Sequence, residues 1–98
     1  MRVVYLHKAL RDMAWVRQYY GNIFPEGARK ARAQLQNTEK IIVLSPYIGH
    51  PSEKVDDARE HHIPRTPFTF LYRLRDDRIE IMRVIDTRAD LTVTKSAS

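Results

Sequence analysis

Cysteine is absent from this chain of 98 residues, so it can form no disulfide framework, thiolate nucleophile or zinc–thiolate site. Long apolar runs are missing too. Nothing approaches the roughly 20 residues that a membrane-spanning helix requires, and the opening MRVVYLHKAL has too short an apolar core for a secretory signal. The expected compartment is therefore the cytoplasm, with no membrane contact. Glycine is scarce and forms no phosphate-cradling loop, and no Ser or Thr stands in a recognisable nucleophile setting. The histidines His7, His50, His61 and His62 do not make a metal set. His61 and His62 are adjacent on an expected strand and point to opposite faces, and no carboxylate partners follow at ligand spacing. Neither a metal nor another cofactor is implied.

The composition that remains is that of a single folded domain spanning residues 1–98. With 43% hydrophobic and 30% charged residues it is ordinary for a globular domain. At about this length a chain buries roughly two-thirds of its unfolded surface, which gives one modest core and no deep cofactor cleft. The net charge of +5 suits an acidic partner, whether nucleic acid or protein, and equally suits simple solubility.

RVVYL alternates and is β-branched, which predicts a strand. From about Lys8 to Tyr20, Ala9, Leu10, Met13, Val16 and Tyr20 recur on one helical stripe expected to face the core. That helix begins poorly, with His7 or Lys8 where Ser, Thr or Asp would cap it, and Gly21-Asn22 is expected to end it. A second helix starts near Pro25-Glu26 and carries Ala28, Ala31, Leu35, Thr38 and Ile42 on its apolar line. It must stop by Ser45-Pro46. The short linker predicts a helical hairpin, and the small Ala28 and Ala31 would allow another helix to come close. SPYIGHPSEK is a loop, AREHHIPRT a further strand, and the end of the chain from about residue 91 a flexible or partner-ordered tail.

FTFLYRLRDDRIEIMRV, Phe68 to Val84, is the most strongly patterned stretch. As two strands around Asp76-Asp77 it places Phe68, Phe70, Tyr72, Leu74, Ile79, Ile81 and Ile85 on one face, with Arg83 among them. In that register Arg73 faces Glu80, Arg75 faces Arg78, and Arg83 lies across from Phe70. The expected fold is α+β in two layers: a helical hairpin on a small, mostly antiparallel sheet in the order β-α-α-β-β-β, with the other sheet face partly open.

Two groups of residues stand out as candidates for binding. Setting aside the hairpin-tip arginines leaves Arg65, Arg83 and Arg88, whose guanidinium groups suit phosphate or carboxylate. For Arg83 the competing structural role is packing against Phe70 through its stem and charge. On the first helix, Trp15 and Tyr19 lie four residues apart and off the apolar stripe. An exposed pair of this kind implies a cover, either a partner or the chain's own tail, and a partner is the expectation here.

The segment IPRTPFTFLYRLRDDRIEIMRVIDTRADL resembles the carboxy-terminal signature of the ParE/RelE superfamily of bacterial toxins, often called plasmid stabilisation proteins. ALRDMAWVRQYYGN with PEGARKA is similar to that family's helical hairpin and SPYIGHP to its Pro- and Gly-containing loop, so the resemblance runs from about Val3 to Asp90. It implies the toxin half of a type II toxin–antitoxin module. The RelE branch cleaves mRNA on the ribosome with lysines, arginines and a terminal Tyr or His. Arg65 and Arg88 fall near two of its basic positions and Lys54 is the one candidate for its lysines. After Arg88, however, come Ala89, Asp90, Leu91 and Thr92, and no Tyr or His. The chain is closer in form to the ParE branch, whose members poison DNA gyrase. The resemblance therefore implies a non-enzymatic binding toxin with no catalytic residues. It would inhibit gyrase, contacting the target through Arg65, Arg83 and Arg88. A ParD-like antitoxin would neutralise it at Trp15 and Tyr19, and operator DNA would be met only through that antitoxin. The alternatives are a RelE-type endoribonuclease and a degenerate member that keeps only antitoxin binding.

Overall fold

Local sequence preferences account for most of the elements in the computed structural model, which describes residues 1–88. The alternating start forms strand β1, Arg2–Tyr5, and Leu6 then turns the chain into helix α1, His7–Gln18. Helix α2 runs Ala28–Leu44 and stops one residue before Ser45-Pro46, as the proline requires. The remaining strands are β2 (His50–Pro51), β3 (Arg59–His62), β4 (Phe68–Arg75) and β5 (Arg78–Asp86). They form one sheet of five strands in the order β1-β5-β4-β3-β2, antiparallel except where β1 runs parallel to β5. Both helices contribute to one core on one face of this sheet, giving the expected two-layer α+β architecture. The tail expected from about residue 91 lies outside the described residues.

Several expectations are corrected. The loop before Arg59 contains a short strand, β2, paired with β3 through His50 and Glu60. Two residues are too few to carry a pattern, and a proline in an edge strand hides it further. Gly21-Asn22 does not end the first helix. The chain continues as a wide turn through Ile23, closed by the Phe24 N–H donating to the Tyr19 carbonyl. The helices also do not close on each other along their lengths: Ala28 and Ala31 line an open groove instead of a tight helix contact.

The largest correction concerns β5. Its register with β4 shifts between Leu71 and Tyr72, so that Ile81 pairs with Tyr72, Arg83 with Leu71, and Met82 is left over as a bulge. Beyond the bulge the alternation is inverted. Val84 points into the core, while Arg83 and Ile85 move to the opposite face, so Arg83 never meets Phe70. A bulge adds one residue without changing composition, which is why strict alternation could not anticipate it.

The bulge coincides with the end of β1. Leu6 N–H donates to the Ile81 carbonyl, and past that point, among the described residues, no strand continues β1 along that edge of β5. Helix α1 occupies the space, and Asp12 meets the exposed edge. Its carboxylate accepts from Arg83 Nε at 2.7 Å, Arg83 Nη2 at 3.0 Å and the Val84 backbone N–H at 2.9 Å. Docking through Asp12 rotates the buried stripe of α1 towards Asp12 and Tyr19. Ala9, Val16 and Tyr20 are buried as expected, but Leu10 is turned out and 55% exposed.

The hairpin itself follows its sequence. Asp76 and Asp77 take positive φ values of 53° and 63°, as a two-residue turn joining twisted strands requires. Arg73 faces Glu80, which is 3% exposed and accepts from Arg73 Nε and from Arg78 Nη2, each at 2.7 Å. Beside the helices, the half-buried Tyr5 hydroxyl donates to Glu39 at 2.6 Å and ties β1 to α2. Tyr72 holds the loop after α2: its hydroxyl donates to the Pro46 carbonyl and accepts from Gly49 N–H. A Cβ on Gly49 would stand 2.7 Å from that oxygen, so glycine is required there by space.

Two outcomes follow for stability. The hydrogen bonds from Arg73 and then Arg78 hold Glu80 below its ordinary value of 4.5. A depressed carboxylate contributes fully above that ordinary value and loses its contribution as pH falls through the folded one. Glu80→Gln should therefore cost about 1–3 kcal/mol at neutral pH, and urea unfolding should show the gap to the parent protein closing as pH falls below the ordinary carboxylate range. Asp12→Ala leaves a guanidinium and a strand N–H without their acceptor, and should cost about 2 kcal/mol by the same measurement.

Candidate functional site

Three surfaces carry the candidate binding residues. The first is a groove of about 510 Å3 between the helices. Val16 of α1 and Tyr20 of the wide turn face Ala28 and Ala31 of α2 across it, with Arg17 and Arg32 at its rim. Ile63 and Thr66, which flank the turn before β4, close one end. Small alanines on α2 are what make room for this groove, and the wide turn at Tyr19–Ile23 holds the helices apart.

Arg65 sits in that closing turn. Thr66 N–H donates to the Ile63 carbonyl, and Arg65 has a φ of 62° after Pro64, a position at which such turns favour glycine. An arginine held there costs about 1 kcal/mol in backbone strain. Arg65 is exposed, and the turn's own hydrogen bonds run through Thr66, whose hydroxyl donates to the Ile63 carbonyl and accepts from Phe68 N–H. The fold thus gains nothing from the choice of arginine at this point.

The second surface is the seam where α1 lies along β5. Arg83 is bound to Asp12, as described. Further along, Arg88 donates to Asp86, and its guanidinium carbon stands 4.9 Å from the centre of the Tyr19 ring. Tyr19 corrects an expectation: it is 8% exposed and belongs to the core, edge-on to both Tyr20 and Phe68. The same rotation that turned Leu10 outward carried Tyr19 inward. Trp15 stays 41% exposed, with its ring 6.5 Å from that of Tyr19. Trp15, Tyr19 and Arg88 therefore form one layered surface, although the sequence had divided them between two roles. Burial, with Tyr19 beside it, raises the hydroxyl pKa of Tyr20 above the ordinary tyrosine value.

The third surface lies on the opposite sheet face, where Arg83 and Ile85 point after the bulge. Arg83 lines a trough there together with Lys8 and Lys54. The expected trio is thus dispersed: Arg83 borders the trough, Arg88 covers Tyr19, and Arg65 stands at the end of the groove. Sequence reasoning missed Arg17, Arg32 and Lys8. They sit on helix faces with no distinguishing motif, and only the arrangement of α1 and α2 brings Arg17 and Arg32 to one groove and Lys8 to the trough.

Chemically these surfaces offer apolar area edged by guanidinium and ammonium groups, which can bind. Bonds to Asp12 raise the pKa of Arg83, and bonds to Asp86 raise that of Arg88, further from neutrality. Burial, with His62 and His50 nearby, lowers His61. Among the described residues no group of three or more His, Cys, Asp or Glu could hold a metal ion, and no helix is long and apolar enough to cross a membrane.

The sequence model for the ParE toxin of type II toxin–antitoxin system, parDE, matches residues 3–91. No curated protein sequence matches the chain. Among solved structures, a chain of the chromosomal ParDE TA system from P. aeruginosa is 29% identical, with a TM-score of 0.70 over 88% of this chain and 95% of that one. YafQ from E. coli strain BL21(DE3) is 14% identical with a TM-score of 0.62, over 89% of this chain and 93% of that one, a likeness of fold. With its fold, its hairpin signature and nearly its whole length matched, this chain belongs to the ParE toxin family of type II toxin–antitoxin systems.

Proposed function

We propose that this ParE-family toxin acts by binding and not by catalysis, that its target is DNA gyrase, and that a ParD-type antitoxin silences it in the cytoplasm. The observation that carries the non-enzymatic reading is the condition of the arginines. RNA strand scission needs one group to take the 2′-hydroxyl proton and another to protonate the leaving oxygen. A guanidinium does neither at neutral pH. Arg83 and Arg88 are moreover committed to Asp12 and Asp86, and dispersed between two surfaces. Gyrase enters as the target of the family branch that the hairpin resembles.

The groove between the helices supports the antitoxin part of the reading. An amphipathic helix entering it would bury apolar side chains on Val16, Tyr20, Ala28 and Ala31, and would bring acidic residues to Arg17 and Arg32. The net charge of +5 favours such a partner. Trp15 is the anchor for antitoxin chain leaving the groove around α1, with Tyr19 supporting its ring from below. Arg65 serves the same partner from the groove's end, which gives its backbone strain a purpose.

Purified toxin should block gyrase supercoiling; normal supercoiling at saturating, folded toxin would remove gyrase as the target. Codon-linked mRNA cuts during growth arrest would remove the non-enzymatic reading. Arg17→Glu/Arg32→Glu should weaken antitoxin binding at least tenfold in calorimetry and leave supercoiling inhibition intact. Arg65→Gly should raise stability by about 1 kcal/mol while weakening the same complex.

A further inference from the structure

The two edges of the sheet are built differently. At one edge β2 is two residues long and includes Pro51, so it offers little to another strand. At the other, β1 pairs regularly with β5 and contains no proline, bulge or lysine to protect its outer side. Val3, Val4, Tyr5 and Leu6 form an apolar run, yet all four stay partly exposed. The Leu6 N–H points inward, to the Ile81 carbonyl, and backbone direction alternates along a strand. Val3 and Tyr5 therefore turn their N–H and C=O groups outward. Among the described residues no strand pairs with that side.

Beside this edge, on the helical face, lies a recess of about 480 Å3. Val3, Val43 and Leu44 give it an apolar lining, and Gln36, Glu39 and Lys40 complete it. Leu44 is 82% exposed, more than any other large apolar side chain among the described residues. Helix α2 runs back along β1, with Glu39 at Tyr5 and Val43 and Leu44 at Val3. Unlike the groove between the helices, the recess carries both signs of charge, one residue apart. An acidic segment of the kind that suits the groove is opposed here by Glu39.

We infer that β1 pairs with β1 of a second copy of this chain, antiparallel, about a two-fold axis at Val4. In that register Val3 of each copy stands opposite Tyr5 of the other. Every outward backbone group of the two strands is then used, in four hydrogen bonds. Val4 meets its own counterpart on the open face, a β-branched cross-strand pair. Arg2 stands opposite Leu6, so the strand's own cation faces no like charge. The same rotation lays the two α2 helices side by side over one sheet of ten strands. Lys40 of each copy comes to Glu39 of the other, and Val43 and Leu44 close the recess from both sides. A two-fold interface requires a patch that complements itself, and an open strand edge flanked by one acid and one cation does so. The inference does not depend on how the toxin acts.

Two variants test it. Val3→Pro removes the outward N–H and spares the ladder to β5, whose groups belong to Arg2, Val4 and Leu6. Leu44→Asp charges the recess without touching the strand, and melting curves show that each variant is folded. Sedimentation of the parent chain should pass from one copy towards two between about 1 and 100 μM, as suits a small interface. Each variant should raise the dissociation constant at least tenfold. Amide exchange at Tyr5 should slow with concentration in the parent chain and not in Leu44→Asp. A parent chain that stays single up to about 100 μM overturns the inference, and so does a pair that neither folded variant weakens. Tyr5 exchange that slows only when the antitoxin encoded beside the toxin is added assigns the edge to the antitoxin. Slowing only on addition of gyrase assigns it to the target, and either result overturns the pairing of two copies.

Discussion

Beyond Tyr5 no strand among the described residues continues β1 along the edge of β5, and there the carboxylate of Asp12 meets the backbone. Exposed strand edges carry unsatisfied N–H groups and invite pairing with other chains, so some cover is required. A helix cannot supply a ladder of backbone acceptors. It can supply one side chain with two acceptor oxygens, and Asp12 uses both. The rest of the structure follows from that contact. The Met82 bulge turns Arg83 to the open face, and from there its guanidinium meets Asp12. Helix α1 must present its Asp12 flank to the sheet, which buries Tyr19, turns Leu10 outward and leaves Trp15 at the surface.

The arginine-rich carboxy-terminal half reads in sequence as a ready-made anionic binding face. In the fold most of that charge is engaged internally. Arg73 and Arg78 share Glu80, and Arg59 donates to the Tyr47 and Gly49 carbonyls. Arg83 and Arg88 each hold an aspartate. Such charges still contribute to the field, but an incoming carboxylate must compete with one already in place. The cations best placed to attract a partner are therefore those on the helices, Arg17 and Arg32 by the groove and Lys8 by the trough. A guanidinium engaged with Glu80 holds the hairpin together, whereas one at a groove rim is free to select what enters.

Elements long enough to repeat their pattern were legible in the sequence. The line Ala31, Thr38 and Ile42 on α2 is buried as the helical period requires, and the Arg73–Glu80 pair across the Asp76-Asp77 turn has the expected register. What escaped were single-residue events. The bulge at Met82 and the rotation of α1 are set by one tertiary contact between residues 71 positions apart, and no local window contains it. The candidate site suffered most, because a surface is defined by which side chains end up as neighbours. Trp15 was recognisable as an exposed aromatic. Tyr19, judged by the same spacing, was placed outside the core because helical period alone does not say where the buried arc ends. The poorly capped start of α1, by contrast, was visible from His7 and Lys8 before any fold was known.

Helix α1 belongs to both the trough and the groove. Its first turn borders the trough through Lys8, and its last turn forms one wall of the groove through Val16 and Arg17. Because Asp12 pins the middle of the helix to β5, the two surfaces are held in a fixed relation. Association is weakened by whatever must be ordered on binding, so surfaces already set by the fold bind with less loss. On the proposed reading the toxin acts by occupancy without a chemical step to amplify its effect, and its potency then depends on how little it must rearrange to hold its target.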